Sequence, residues 1–137
     1  MIRTKVFSGR VESLQAIGDF VMEAAQAAGL DESAVYAVQL AVDEAATNVI
    51  EHAYRGMEPG SLECGCEIMP SGLKIILHDF GHPFNPDAVP EPDTNAAIED
   101  VKPRGLGLFF MRKMMDEIRF EFSEKSGNRL IMVKRKK

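Results

Sequence analysis

The chain has 137 residues, of which 16 are basic and 21 acidic, for a formal net charge of −5. Hydrophobic residues make up 45% and charged residues 27%, ordinary values for a folded domain, so disorder is excluded as the default reading. At this size one core is expected to form without disulfide or metal staples, as a single domain over 1–137.

Lys134-Arg135-Lys136-Lys137 carries four of the positive charges, which leaves −9 on the rest. An acidic body argues against direct nucleic-acid binding and membrane-surface binding, and the basic end is expected to be a solvated tail. Cys64 and Cys66, two apart, point to one side of a strand with parallel Cβ vectors, so they read as reduced core thiols. No apolar leader segment follows Met1, and the run Gly105–Met111 is too short to span a bilayer. A cytoplasmic protein is expected.

In chain order, residues 2–8 suit an edge strand. Leu14, Ile17, Val21, Ala24, Ala25 and Ala28 follow helical spacing, and Gly29 is placed to end that helix. Asp31 is expected to cap a second helix over 32–54, whose stripe Val35, Val38, Val42, Ala45 and Val49 faces a core. Leu62, Cys64, Cys66 and Ile68 alternate with polar or small residues. After the turn Pro70-Ser71-Gly72, Leu73, Ile75 and Leu77 do the same, which predicts a hairpin ending at Asp79.

Residues 82–104 are rich in proline and acid, and read as a lid. Helical spacing resumes from about Leu106 to Glu117. Ile118, Phe120 and Phe122 then alternate, Ser126-Gly127-Asn128 reads as a turn, and Arg129–Lys134 as a last strand. The expected fold is α/β of the α+β kind. It is a two-layer sandwich: a mixed, mostly antiparallel sheet covered on one face by three helices.

Three groups of residues could carry chemistry. Glu44 and Asn48 stack on one helix face off the apolar stripe; the carboxylate could accept a proton from a hydroxyl and the amide could help hold a hard cation. Asp79-Phe80-Gly81 stands at a strand end, where a carboxylate can accept from an exocyclic amine and glycine permits close approach. Arg104-Gly105-Leu106-Gly107-Leu108 opens a helix, where bare N–H groups, the helix dipole and a guanidinium suit phosphate. Each alone is also compatible with an ordinary solvated face, an Asx turn or a flexible helix start. In this order, they describe an ATP pocket between helices and sheet.

The segment Ala41-Val42-Asp43-Glu44-Ala45-Ala46-Thr47-Asn48-Val49-Ile50-Glu51-His52-Ala53-Tyr54 resembles the N-box of bacterial anti-sigma factor serine/threonine kinases, a branch of the GHKL, histidine-kinase-like ATPases. Asp79-Phe80-Gly81 resembles the family's first glycine box and Arg104–Leu108 its second. The resemblance implies ATP and Mg²⁺ as cofactors, Glu44 as the base that activates an acceptor serine, Asn48 as the Mg²⁺ ligand and Asp79 as the adenine-binding acid. It places Gly81, Gly105 and Gly107, with Leu106 and Leu108, around the nucleotide, Arg104 near the phosphates and His52 at the pocket.

One departure is Pro83, which stands where the family's first box has its second glycine; proline fixes φ and removes a donor. The resemblance further implies an anti-anti-sigma (antagonist) protein as substrate, a sigma factor or similar regulator as sequestered target, and compatibility with a homodimer through an uncovered edge strand. The alternative is an ATP-binding regulatory module that sequesters its partner without phosphorylating it. A detached histidine-kinase catalytic domain fits less well, because no phospho-accepting helix is visible.

Overall fold

The structure, a computed structural model, describes residues 1–83 and 103–137, with the backbone alone for 103–106. Strand β1 (Ile2–Ser8) leads through a short 3₁₀ turn, Val11–Ser13, into helix α1 (Leu14–Ala27). That helix stops because Gly29 takes φ +81°: its N–H donates to the Gln26 carbonyl (3.0 Å) and the Leu30 N–H to the Ala25 carbonyl (3.2 Å). Helix α2 (Glu32–Asn48) begins where Asp31 Oδ1 accepts the Ala34 N–H at 2.8 Å.

The sequence predicts one unbroken helix to residue 54. Instead α2 ends at Asn48 and the chain winds on as a π-helical turn, Val49–Ala53. Two adjacent β-branched residues, Val49 and Ile50, crowd the preceding turn there. The far end of the turn is pinned from outside, since the Ala53 carbonyl accepts the His82 N–H at 2.5 Å.

Strands β2 (Ser61–Met69) and β3 (Gly72–Asp79) form the expected hairpin about Pro70-Ser71. Helix α3 (Pro103–Met114) starts about three residues before the predicted start at Leu106, because proline suits the first helical position. It also stops short of Glu117. Lys134 Nζ donates to the Met114 carbonyl (2.6 Å), and the Asp116 N–H turns to the Val133 carbonyl (2.9 Å). The basic end is therefore partly built in: strand β5 (Gly127–Arg135) runs through Lys134 and Arg135 rather than releasing them as a tail.

Strand β4 (Glu117–Ser123) pairs with β5, and the sheet order is β1-β2-β3-β5-β4, antiparallel at every pairing. The two edges are β1 and β4. Strand period puts Leu62, Cys64, Cys66, Leu73, Ile75, Leu77, Leu130 and Met132 on one face, and all are buried in one core with Ile17 and Val21 of α1, Val38 and Val42 of α2, and Met111 of α3. Burying each of these larger aliphatic side chains stabilises the fold by about 1.5–3 kcal/mol before entropy is counted. The two thiols are free and buried, as the alternation predicts. No helix among the described residues is long and apolar enough to cross a membrane.

Candidate functional site

The helix layer and the sheet part at one end, where α2 finishes, α3 passes and β3 runs out. The gap is a cleft of about 490 Å³, within the usual range for small-ligand sites. Its floor is apolar, with Leu77, Leu108, Met111, Phe120 and Leu130; its polar groups include Asn48, His52, Asp79 and Asn128, with Arg55 and Arg129.

Among the described residues Asp79 is the one buried carboxylate, 4% exposed. It ends β3, so its carboxylate meets the cleft where the ladder stops. Asp79 Oδ1 accepts the Gly81 N–H (2.9 Å) and Asn128 Nδ2 (2.8 Å). The turn it makes presses Gly81 against the last turn of the α2 segment: a Cβ on Gly81 would overlap the Ala53 carbonyl. Tyr54 closes the same corner. Its ring lies against Gly60, its hydroxyl donates to the Ser61 carbonyl (2.6 Å) and accepts the Phe80 N–H (3.2 Å), and burial raises its pKa above the ordinary tyrosine value. The end of the π-helical turn and the loop after β3 are thus one fastened unit.

Asn48 and His52 enter the cleft from the junction of α2 and the π-helical turn. Arg55 Nη2 donates to His52 Nδ1 (3.0 Å), which in the neutral ring leaves the proton on Nε2, 3.8 Å from Glu51 Oε2. Glu44 lies one turn before Asn48 but does not line the cleft. It packs against α3, where a Cβ on Gly107 would overlap its Oε1. Burial there, then the nearby charges of Asp43 and Glu51, raise its carboxyl pKa.

Of the second glycine group, Leu108 lines the cleft and Gly107 lies beside Glu44. Gly105 and Leu106 sit in the first turn of α3, whose leading N–H groups have no intrahelical partner. The side chain of Arg104 lies outside the described residues, as does residue 84–102 of the predicted lid; Pro83 is at the cleft's rim.

Asn128 is the residue the sequence reading misses. The sequence places it in a turn, but the turn is at 124–126 and Asn128 is paired in β5, directly opposite Asp79. Gly127, at φ +77°, makes this close approach feasible, since a Cβ there would overlap the Asp79 carbonyl. No sequence signal links residues 79 and 128; only the β3–β5 pairing does. Among the described residues no group of three or more His, Cys, Asp or Glu is placed to hold a metal ion. A cation here would need ligand oxygens as well as Asn48, which suits Mg²⁺ carried on a phosphate chain.

A two-layer sandwich of helices on an antiparallel sheet, parted at one end by a cleft, has the architecture of the histidine kinase-like ATPases. Residues 7–134 match the histidine kinase-like ATPase domain, and the chain belongs to that family, with the bacterial anti-sigma factor kinases among its relatives. It is 36% identical over 100 residues to an anti-sigma F factor of Clostridium novyi, across 73% of this chain and 70% of that one. It is 38% identical over 101 residues to the serine-protein kinase RsbW of Halalkalibacterium halodurans, across 71% of this chain and 60% of the relative. It is 33% identical over 101 residues to RsbW of Staphylococcus epidermidis, across 70% and 62%. The alignment thus spans less than two thirds of the length of these two kinases.

Proposed function

We propose that the protein is an anti-sigma factor-type serine/threonine kinase. It binds Mg-ATP in the cleft, phosphorylates a serine on an antagonist protein, and sequesters a sigma factor or similar regulator in a partner switch in the cytoplasm. The observation that carries this reading is the convergence of Asn48, His52, Asp79 and Leu108 on one apolar cleft of nucleotide size, with Glu44 one helical turn away. The names of the relatives, anti-sigma F factor and serine-protein kinase, support it.

Bound ATP supplies the phosphoryl group, and this chain's residues position it. Asp79 has its Oδ1 occupied by two donors and presents the rest of its carboxylate to an exocyclic amine. Leu77, Met111 and Leu130 exclude water from the base. Asn48 would offer an amide oxygen to Mg²⁺, and the leading N–H groups of α3 would meet phosphate oxygens, with Arg104 proposed as their cationic partner. Glu44 takes the proton of the acceptor hydroxyl, and its raised pKa improves it as a base near neutral pH. Positioning and charge stabilisation are most of what phosphoryl transfer asks of a protein. An uncovered edge strand, β1 or β4, would permit pairing with a second copy of the chain.

Pro83, which lines the cleft and stands where the family's first glycine box has its second glycine, gives weight to a second reading, sequestration with ATP as a structural ligand. Transfer of ³²P from ATP to a serine-bearing antagonist separates the two. Glu44→Ala abolishes transfer under the kinase reading; under the other, the wild type transfers nothing and partner binding is the same in both.

A further inference from the structure

Asn128 spends both of its amide hydrogens on the loop that follows β3. Nδ2 lies 2.8 Å from Asp79 Oδ1, 3.0 Å from the Gly81 carbonyl and 3.2 Å from the His82 carbonyl. Three acceptors for two hydrogens means that one N–H is shared, so the amide is held in one orientation with its nitrogen toward the loop. The backbone fixes it from behind: Asn128 and Asp79 are direct partners at the open end of the β3–β5 ladder. Gly127 allows that end to close, because any side chain there would strike the Asp79 carbonyl and the Phe80 ring.

The consequence falls on Asp79. With the Gly81 N–H and the Asn128 amide both on Oδ1, the carboxylate cannot turn about its own axis without losing two hydrogen bonds. Its other oxygen is thereby aimed. A freely rotating carboxylate would meet an amine on a ligand only part of the time and would lose rotamer entropy on doing so.

We propose that Asn128 is a positioning residue for nucleotide-base selection: its amide clamps Asp79 and the 79–82 loop so that one carboxylate oxygen is fixed to receive an amine on the ligand's base. This rests on the nucleotide reading of the cleft. Asn128 acts through Asp79, so removing it should cost recognition of the amine more than binding of the rest of the nucleotide.

The test is calorimetric affinity for ATP and for inosine triphosphate, which carries a carbonyl where adenine carries its amine, with wild type, Asn128→Ala and Asn128→Leu. An aspartate would put a second carboxylate against Asp79 and report the loss of the clamp by repulsion, so Asn128→Leu, which keeps the size and lacks both donors, serves if the alanine variant does not fold. Wild type is expected to prefer ATP by about tenfold or more, the worth of one hydrogen bond to a charged group. In the variants ATP weakens by about that factor, inosine triphosphate changes less than about twofold, and the preference collapses. Equal weakening of both ligands, or an unchanged preference in folded variants, would overturn the clamp and leave the nucleotide site standing. A wild type that binds neither would overturn both.

Discussion

Glu44 and Gly107 share one space: the carboxylate of α2 occupies the position that a side chain on α3 would take. Glycine inside a helix ordinarily costs about 1 kcal/mol relative to alanine, so its presence there calls for a local reason, and Glu44 is that reason. The obstacle is the end of a flexible side chain rather than backbone. Gly107→Ala is therefore expected to swing Glu44 aside, leave unfolding free energy within about 1 kcal/mol of wild type, and cut serine phosphorylation by about 100-fold or more, the share of a general base. In a Glu44→Ala background the same substitution should stabilise, by about 0.5–1 kcal/mol. Urea unfolding of the four proteins of the cycle measures both signs.

Gly81→Ala should behave differently. The new methyl meets the Ala53 carbonyl, which is backbone and is already accepting the His82 N–H. Nothing can swing away, so the loop after β3 must part from the end of α2. A loss of about 1–3 kcal/mol is expected in the same unfolding assay, with weakened nucleotide affinity.

Tyr54→Phe keeps the ring against Gly60 and removes only the hydroxyl. It removes the partner of the Ser61 carbonyl and the Phe80 N–H at a part-buried corner. The expected cost is about 1 kcal/mol of stability. Amide exchange at Phe80 should accelerate more than exchange at core strand positions such as Ile75, because the latch is local.

The raised pKa of Glu44 has a sign that can be checked. Its charged form is disfavoured in the folded protein, mainly by burial and then by Asp43 and Glu51. Stability from this group is full below its unfolded pKa, near the ordinary 4.5, and declines as pH rises through the higher folded value. Glu44→Gln should thus unfold at a higher temperature than wild type at about pH 7, and the gap should close toward about pH 4. Thermal melts of the free protein across that range would show it; a gap that widens on acidification contradicts the assignment.

Much of this fold was legible because its signals are local. The Asp31 cap, the Gly29 stop and the Leu62–Leu77 alternation each depend on neighbours a few residues away. The boundaries that moved depend on distant partners. Lys134 ends α3 from twenty residues downstream, and His82 pins the turn that ends the α2 segment. The site divides the same way. Glu44 and Asn48 are visible by helical spacing, and Asp79 by its place after an apolar strand. Asn128 has meaning only through the ladder that sets it opposite Asp79, so its residue type reads as a turn former until the pairing is known.

If the cleft between α2, α3 and the sheet is a Mg-ATP site, calorimetric titration of Mg-ATP separates wild type from Asn48→Ala. Saturable wild-type binding is expected, falling about tenfold in Asn48→Ala and likewise when Mg²⁺ is withheld from wild type. No wild-type binding up to millimolar ATP, or binding indifferent to both Asn48 and Mg²⁺, would contradict that assignment.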